Sequence, residues 1–199
     1  MILGITGGTG SGKTTLLEVA GELGFQILDC DAIYHQLLQT DCELLQEIER
    51  NFPGVVENGQ LMRKKLGAQV FADKAALERL NQITHGAVRR EVEKNLKAGQ
   101  NIAIDAIALF ESGMDALCDV AVAVTAPKED RVKRLIQRDG VTEAYARSRI
   151  AAQKSDRWYA EHCDTLLRND STPESFRIKC LAFFRQLGIM KENTHGGVL

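Results

Sequence analysis

The sequence predicts an α/β protein built on a doubly wound, mostly parallel sheet of five strands. Short apolar runs alternate with longer segments of helical periodicity along the 199 residues, and this alternation is typical of repeated β-α-β units. The apolar runs are nearly continuous, which favours strands covered by helices on both faces. The length is that of one ordinary domain, so we expect a single domain over residues 1–190.

The same two periodicities assign the elements in chain order. Five apolar runs are predicted strands: residues 2–6, 26–29, 101–105, 119–125 and 165–168. Segments of helical period are predicted helices: residues 13–23, 31–39, 43–51, several over 63–97, 128–138, 142–153 and 173–187. In the last helix, Phe176, Cys180, Phe183 and Phe184 recur at helical spacing, so this stripe belongs to the core.

Two segments are longer than a connection between strands requires. We expect the core to comprise residues 1–60, 100–127 and 164–190, with a helical insertion over 61–99 and a lid over 128–163. The lid is predicted because the helix over 142–153 has a thin apolar face of Ala146 and Ile150, so that it is weakly anchored. Residues 191–199 are expected to form a frayed tail.

Composition excludes several classes of protein. A formal net charge of −2 lacks the positive charge that a general nucleic-acid binder needs. No apolar run approaches the ~20 residues that cross a bilayer, and the first residues do not resemble a signal peptide, so we expect a cytoplasmic protein that binds no membrane. The five cysteines form no C-x-x-C pair, which argues against a zinc site or a disulfide framework.

The turn after the first strand carries the motif GGTGSGKT at residues 7–14, which fits the phosphate-binding pattern G-x-x-x-x-G-K-[ST]. Glycines let successive backbone N–H groups point at phosphate oxygens, and the following helix N-terminus adds a partial positive charge. Lys13 is expected at the β- and γ-phosphates, and the Thr14 hydroxyl is the expected ligand of Mg²⁺. The predicted triphosphate-binding residues of the loop are Gly8, Thr9, Gly10, Ser11, Gly12, Lys13, Thr14 and Thr15.

Acidic residues close two further predicted strands. Asp29 ends the second strand, Asp31 lies two residues later, and Asp105 ends the third strand. The carboxyl ends of parallel strands meet at one crevice, so we expect these carboxylates near the phosphate-binding loop. There they would ligate a metal or accept a proton from a hydroxyl group, and capping of a helix is the alternative role for each.

Arginines in the predicted lid form a second charged group. Arg131, Arg134 and Arg138 fall on one helix face, and Asp130 has the spacing to pair only with Arg134. With Arg147 and Arg149 on the next helix they predict a phosphate clamp, and a solvated charged face is the alternative.

Three classes of nucleotide-binding protein remain to be compared. A GTPase-like switch is disfavoured because the chain has no N-K-x-D motif. A nucleotide-binding module without catalysis would keep the loop but would not need the acids and the insertion. A kinase of a small metabolite, including kinases of nucleoside monophosphates or shikimate, fits the short core with an acceptor-side insertion and an arginine-bearing lid.

Eight segments have the order and spacing of the dephospho-CoA kinase family, which the chain resembles over about residues 1–187. They are GGTGSGKT at 7–14, DCD at 29–31, LMR at 61–63, VFAD at 70–73, ITH at 83–85, LFESG at 109–113, RLIQRDG at 134–140 and RIAAQ at 149–153. The resemblance implies a P-loop kinase fold and transfer of phosphate from MgATP to the ribose 3'-hydroxyl of dephospho-coenzyme A, with no partner beyond these small-molecule substrates.

The resemblance also implies roles for individual residues. Asp31 is the expected general base, Lys13 and Arg138 are the other expected catalytic residues, and Arg138 and Arg149 are expected to bind ATP. The expected acceptor-binding residues are Asp31, Arg63, His85, Asp105, Phe110 and Glu111. Cys30, Gly86 and Ile107 depart from the family pattern, in which Ala, Pro and Pro are usual.

Overall fold

The computed structural model describes residues 1–189, and the predicted tail over 191–199 lies outside the described residues. Its centre is a parallel five-stranded sheet in the order β2-β5-β1-β6-β7. The strands are β1 (Ile2–Thr6), β2 (Gln26–Asp29), β5 (Ile102–Asp105), β6 (Val120–Thr125) and β7 (Thr165–Arg168). The fold class predicted from the sequence is therefore confirmed, and the strand bounds agree to within a residue.

Helices cover both faces of this sheet, which explains why its strands are apolar on both sides. On one face lie α1 (Lys13–Glu22) and α9 (Pro173–Gln186), and the predicted aromatic stripe of α9 is buried there. On the other face lie α2 (Cys30–Thr40) and α3 (Cys42–Asn51) together with the helices of the insertion. The two resulting hydrophobic cores hold the carboxyl ends of the strands in fixed positions.

The insertion contains two helices, α4 (Arg63–Val70) and α5 (Lys74–Asn95). Helix α5 packs against α2, α3 and α4. A hairpin that the sequence analysis missed precedes them, formed by β3 (Val56–Glu57) and β4 (Gln60–Leu61). Its two-residue turn is Asn58-Gly59, with φ angles of 51° and 75°. Asn-Gly is a strong hairpin signal because both turn residues need positive φ, but strands of two residues leave no apolar pattern to detect.

The predicted lid contains three helices instead of two: α6 (Lys128–Asp139), α7 (Glu143–Ala151) and the short α8 (Asp156–His162). The thin apolar face predicted for α7 is confirmed: Ala146 and Ile150 are its buried residues. They pack against Val132 and Leu135 of α6, and these four residues form a separate small core. That α6 supplies the matching apolar face is not evident from the sequence of α7 alone, and the role of this segment as a lid stays a prediction.

Among residues 1–189, no helix combines the length and hydropathy that crossing a bilayer requires.

Candidate active site

The loop over residues 7–14 joins β1 to α1 and leaves a group of backbone N–H donors unused. Gly12 is the N-cap of α1 with φ of 97°, and no side chain caps this helix. Within residues 1–189, the backbone N–H groups of Gly10, Gly12, Lys13 and Thr14 have no hydrogen-bond partner. Unpaired donors at a helix N-terminus bind anions, so the loop has the chemistry of a phosphate site.

Side chains from two other parts of the chain form hydrogen bonds with the backbone carbonyl groups of this loop. Arg134 of α6 donates to the carbonyl oxygens of Gly10 at 3.1 Å and Ser11 at 3.3 Å. Asn169, which directly follows β7, is buried and donates to the Ser11 carbonyl oxygen at 2.8 Å. A side chain at Gly12 would collide with Asn169. These contacts use the carbonyl groups of the loop and leave its N–H groups free.

A cavity of about 760 Å³ opens above the loop and is bordered by the strand-end carboxylates of Asp29, Asp31 and Asp105. Lys13 forms an ion pair with Asp105, and both side chains are largely buried. The pKa of Asp105 is raised, mainly by burial and further by the charges of Asp29 and Asp31, while the ammonium group of Lys13 acts to lower it. The predicted convergence of these acids on the loop is thus what the structure shows.

Arg138 and Arg149 border the same cavity on its opposite side. Both contact one carboxylate: Arg138 donates to Asp139 at 2.6 and 3.0 Å, and Arg149 lies 3.5 Å from it. Arg134 also borders this cavity, whereas Arg131 and Arg147 do not. Arg147 is instead paired with the exposed carboxylates of Glu129 and Glu143.

A second cavity of about 230 Å³ lies between α2, α5 and the segment after β5. Its lining combines apolar side chains such as Leu80, Val88 and Met114 with polar ones that include Thr84 and His85. An apolar cavity with a few polar groups is the usual form of a site for a small organic ligand.

Asp31 and Ile107 border both cavities. Asp29 caps α2, since its carboxylate accepts from the backbone N–H groups of Asp31 at 2.9 Å and Ala32 at 3.0 Å. The Asp31 carboxylate is exposed and makes no hydrogen bond or ion pair within residues 1–189. A free carboxylate therefore stands between a phosphate-binding cavity and an organic-ligand cavity.

Comparisons with known proteins identify the family that has this arrangement. The family model described as dephospho-CoA kinase matches residues 1–174. The chain is 39% identical to dephospho-CoA kinase of Anaeromyxobacter dehalogenans, over 87% of this chain and 86% of that protein. It is 33% identical to the enzyme of Geobacillus kaustophilus, over 94% and 96% of the two chains.

The chain belongs to the dephospho-CoA kinase family. Among solved structures, a dephospho-CoA kinase from Campylobacter jejuni is similar with a TM-score of 0.69 and 26% identity, covering 95% of this chain and 98% of that one. A shikimate kinase from Acinetobacter baumannii, with a TM-score of 0.52 and 17% identity, covers 94% of this chain and 92% of its own and shares the fold. The resemblance found in the sequence is confirmed.

The residues predicted for the acceptor of a dephospho-CoA kinase are only partly brought together. Asp31 and His85 border the organic-ligand cavity, and Asp105 borders the phosphate cavity. Three others border neither cavity: Arg63 lies 3.4 Å from His35, Glu111 pairs with Lys154 at 3.4 Å, and Phe110 packs edge-to-face on Trp158 with ring centroids 5.2 Å apart. Among the loop residues, Thr15 does not border the phosphate cavity.

Several residues of this kinase site are not predicted from the sequence. Ile107 lies two residues after Asp105, and Asn169 directly follows β7, while Asp29 and Asp105 are the last residues of β2 and β5. The strand-end position that identified the acids could therefore have identified Asn169 as well. Tyr34 and Thr84 border the organic-ligand cavity, but they lie within helices, where no local signal distinguishes them from other half-buried residues.

Within residues 1–189, no group of three or more His, Cys, Asp and Glu side chains is arranged to hold a metal ion. The Thr14 hydroxyl and the carboxylates of Asp29 and Asp31 all border the phosphate cavity, where oxygen donors of this kind suit Mg²⁺. The donor set fits a cation that arrives with a triphosphate, since too few protein ligands are present to bind it alone.

Proposed function

We propose that this protein transfers the γ-phosphate of ATP to the ribose 3'-hydroxyl of dephospho-coenzyme A, giving coenzyme A and ADP. The observation that supports this function is the position of Asp31, whose carboxylate borders both the phosphate cavity and the organic-ligand cavity. The triphosphate would occupy the first cavity and the adenosine of the acceptor the second. Family membership supports the same substrates.

In this proposal the acceptor hydroxyl lies beside Asp31 and faces the γ-phosphorus. A bond forms between the ribose oxygen and phosphorus, the bond from phosphorus to the β,γ-bridging oxygen breaks, and the hydroxyl proton passes to the Asp31 carboxylate. Asp31 is suited to this step because its oxygens are free of hydrogen bonds within residues 1–189. The leaving group is ADP.

The positive charges around the phosphate cavity would stabilise the charge on the transferring group. Lys13 would exchange its Asp105 partner for the β- and γ-phosphates, and Arg138 and Arg149 would exchange Asp139 for phosphate oxygens. Each of these cations has a carboxylate partner now, so none of them is left as an isolated charge before the nucleotide binds. The free N–H groups of the loop need no such exchange.

The proposal includes Mg²⁺, which would be held by the Thr14 hydroxyl, by phosphate oxygens and, through water, by Asp29 or Asp31. When bound, the ion supplies charge neutralisation at the β- and γ-phosphates. A cytoplasmic location and the lack of a nucleic-acid partner stay predictions from the sequence.

An acceptor panel tests the proposed function. The purified protein is incubated with MgATP and one hydroxyl acceptor at a time, namely dephospho-coenzyme A, AMP, shikimate or gluconate, and ADP release is followed. We expect turnover with dephospho-coenzyme A alone and a product that is heavier by one phosphate. Lys13→Met serves as the catalytic control. Turnover with AMP or shikimate at equal or higher kcat/KM would contradict the proposed acceptor.

A further inference from the structure

A buried arginine lies on the outer side of the phosphate-binding loop, away from both cavities. Arg131 of α6 is only 6% exposed, and its Nε donates to the carbonyl oxygen of Thr9 at 2.9 Å. Its Nη2 donates to Oε1 of Gln153 at 2.6 Å, and the same oxygen accepts from the backbone N–H of Thr9 at 2.9 Å. Arg131 and Gln153 thus bind both backbone polar groups of Thr9, its carbonyl oxygen and its N–H group.

This arrangement is closely packed against the loop. A Cβ atom at Gly8 would lie 2.7 Å from Cζ of Arg131 and 2.9 Å from Oε1 of Gln153, and a Cβ atom at Gly10 would lie 2.9 Å from the backbone oxygen of Arg131. The guanidinium group is therefore separated from the phosphate cavity by little more than the loop backbone.

The charge of Arg131 has no ion-pair partner within residues 1–189. Its two polar partners, a backbone carbonyl and the Gln153 amide, are neutral. Burial lowers the pKa of Arg131, and Asp156 opposes this effect from beyond ion-pair distance. A buried charge without a counter-charge is costly, and Arg138 and Arg149, by contrast, are both paired with the carboxylate of Asp139. A bound triphosphate would supply the counter-charge that Arg131 lacks.

We propose that Arg131 is a positioning and electrostatic residue for ATP. Its buried positive charge would stabilise the bound triphosphate through the peptide unit that joins the Thr9 carbonyl to the free N–H group of Gly10, and Gln153 would hold the guanidinium group as a neutral partner. Arg131 does not touch the phosphates in this role. The inference rests on the triphosphate part of the proposed function and is independent of the acceptor.

Substitutions that separate charge from geometry test the proposal, with MgATP binding to the full chain measured by calorimetry. Arg131→Met removes the charge and keeps the length, and we expect the Kd for ATP to rise about tenfold. Arg131→Lys keeps the charge, and we expect binding within about threefold of wild type. Gln153→Glu keeps the acceptor oxygen but neutralises Arg131, so we expect the Kd to rise about fivefold or more. Lys133→Met, an exposed charge on the same helix, is the control for net charge and should bind normally.

Unfolding in denaturant without nucleotide separates this role from a structural one. We expect the free energy of unfolding of Gln153→Glu to be equal to or above that of wild type, because the buried charge of Arg131 gains a counter-charge. Arg131→Met also loses the hydrogen bonds to Thr9 and Gln153, so Gln153→Glu is the variant on which this comparison rests. Wild-type ATP binding by Gln153→Glu, equal losses in Arg131→Lys and Arg131→Met, or absence of ATP binding in the wild-type protein would overturn the proposal. A wild-type protein that binds ATP but does not phosphorylate dephospho-coenzyme A would refute the proposed function alone.

Discussion

Replacement of Asp31 by Asn tests the link between the two cavities most directly. Asn has nearly the shape of Asp but does not accept a proton from the acceptor hydroxyl. Loss of a general base typically costs about 10²–10⁴-fold in rate, or about 3–5 kcal/mol in activation free energy. We therefore expect kcat for dephospho-coenzyme A to fall by at least about 100-fold.

The same substitution should leave folding and nucleotide binding nearly intact. Asp31 is exposed and Asp29 caps α2, so the cost to folding is the lost carboxylate at a helix N-terminus, about 0.3–1 kcal/mol. A unit charge about 8 Å from another contributes about 0.5 kcal/mol in water and about 2 kcal/mol at an effective dielectric constant of 20. For this exposed carboxylate facing a triphosphate we expect the lower end, so that Asp31→Asn should bind ATP about two- to fivefold more tightly.

Asp29→Asn is the matched control. It removes one negative charge from the phosphate cavity and keeps the helix cap, since Asn caps as well as Asp does, but Asp29 does not border the organic-ligand cavity. Initial rates of ADP release, calorimetry with MgATP and circular dichroism on both variants complete the measurement. The reasoning would be refuted if Asp31→Asn kept more than a tenth of wild-type kcat, or if both variants lost the same activity.

Four other predictions follow from the same geometry. Lys13→Met should lower kcat/KM by about 10²–10³-fold in an ADP-release assay while the circular dichroism spectrum is unchanged; near-normal turnover would exclude its phosphate role. Burial, with the charges of Asp105, Asp29 and Asp31, raises the pKa of Cys30 to about 12. Alkylation of Cys30 by iodoacetamide should therefore be slow at pH 8, speed up about tenfold per pH unit, and decrease with MgATP plus dephospho-coenzyme A. The rate is measured by mass spectrometry of peptides, and a rate equal to that of exposed Cys42 would contradict this prediction. Gly12→Ala should lower the free energy of unfolding by about 2–3 kcal/mol, because φ is 97° and the new Cβ displaces Asn169; an unchanged denaturation midpoint would argue against this loop conformation. Leu135→Ala should lower the free energy of unfolding by about 2–5 kcal/mol, because Leu135 is buried between α6 and α7. The exposed control Ile136→Ala should lower it by under about 0.5 kcal/mol, and equal effects would show that α6 and α7 are not packed as described.

Short-range patterns predicted most of the fold. The five strands and the helices α1, α2, α3, α6, α7 and α9 follow from apolar periodicity, which depends on neighbouring residues only. The hairpin over Val56–Leu61 and helix α8 did not, because two-residue strands and a seven-residue helix are too short to show a period. Their existence depends on the core against which they pack.

The different roles of the arginines of α6 are not predictable from the sequence. Arg131, Arg134 and Arg138 share one helix face in the sequence, yet their surroundings differ. Arg131 is buried against the loop, whereas Arg134 and Arg138 border the phosphate cavity, and Arg134 also donates to the loop carbonyl groups. Asp130 has the spacing to pair with Arg134, but Arg134 donates to the loop carbonyl groups instead. Helical spacing shows which residues share a face of α6, but it does not show which groups of the phosphate-binding loop each of them contacts.

The sequence by itself determined the parallel sheet, the phosphate-binding loop and the family, because each of these depends on contiguous residues and their spacing. Only the tertiary structure decided that Asp31 borders two cavities, that Asp29 caps α2, and that burial raises the pKa of the Cys30 thiol. Burial, electrostatic environment and cavity shape arise from residues far apart in the chain, and they exist only after the chain has folded.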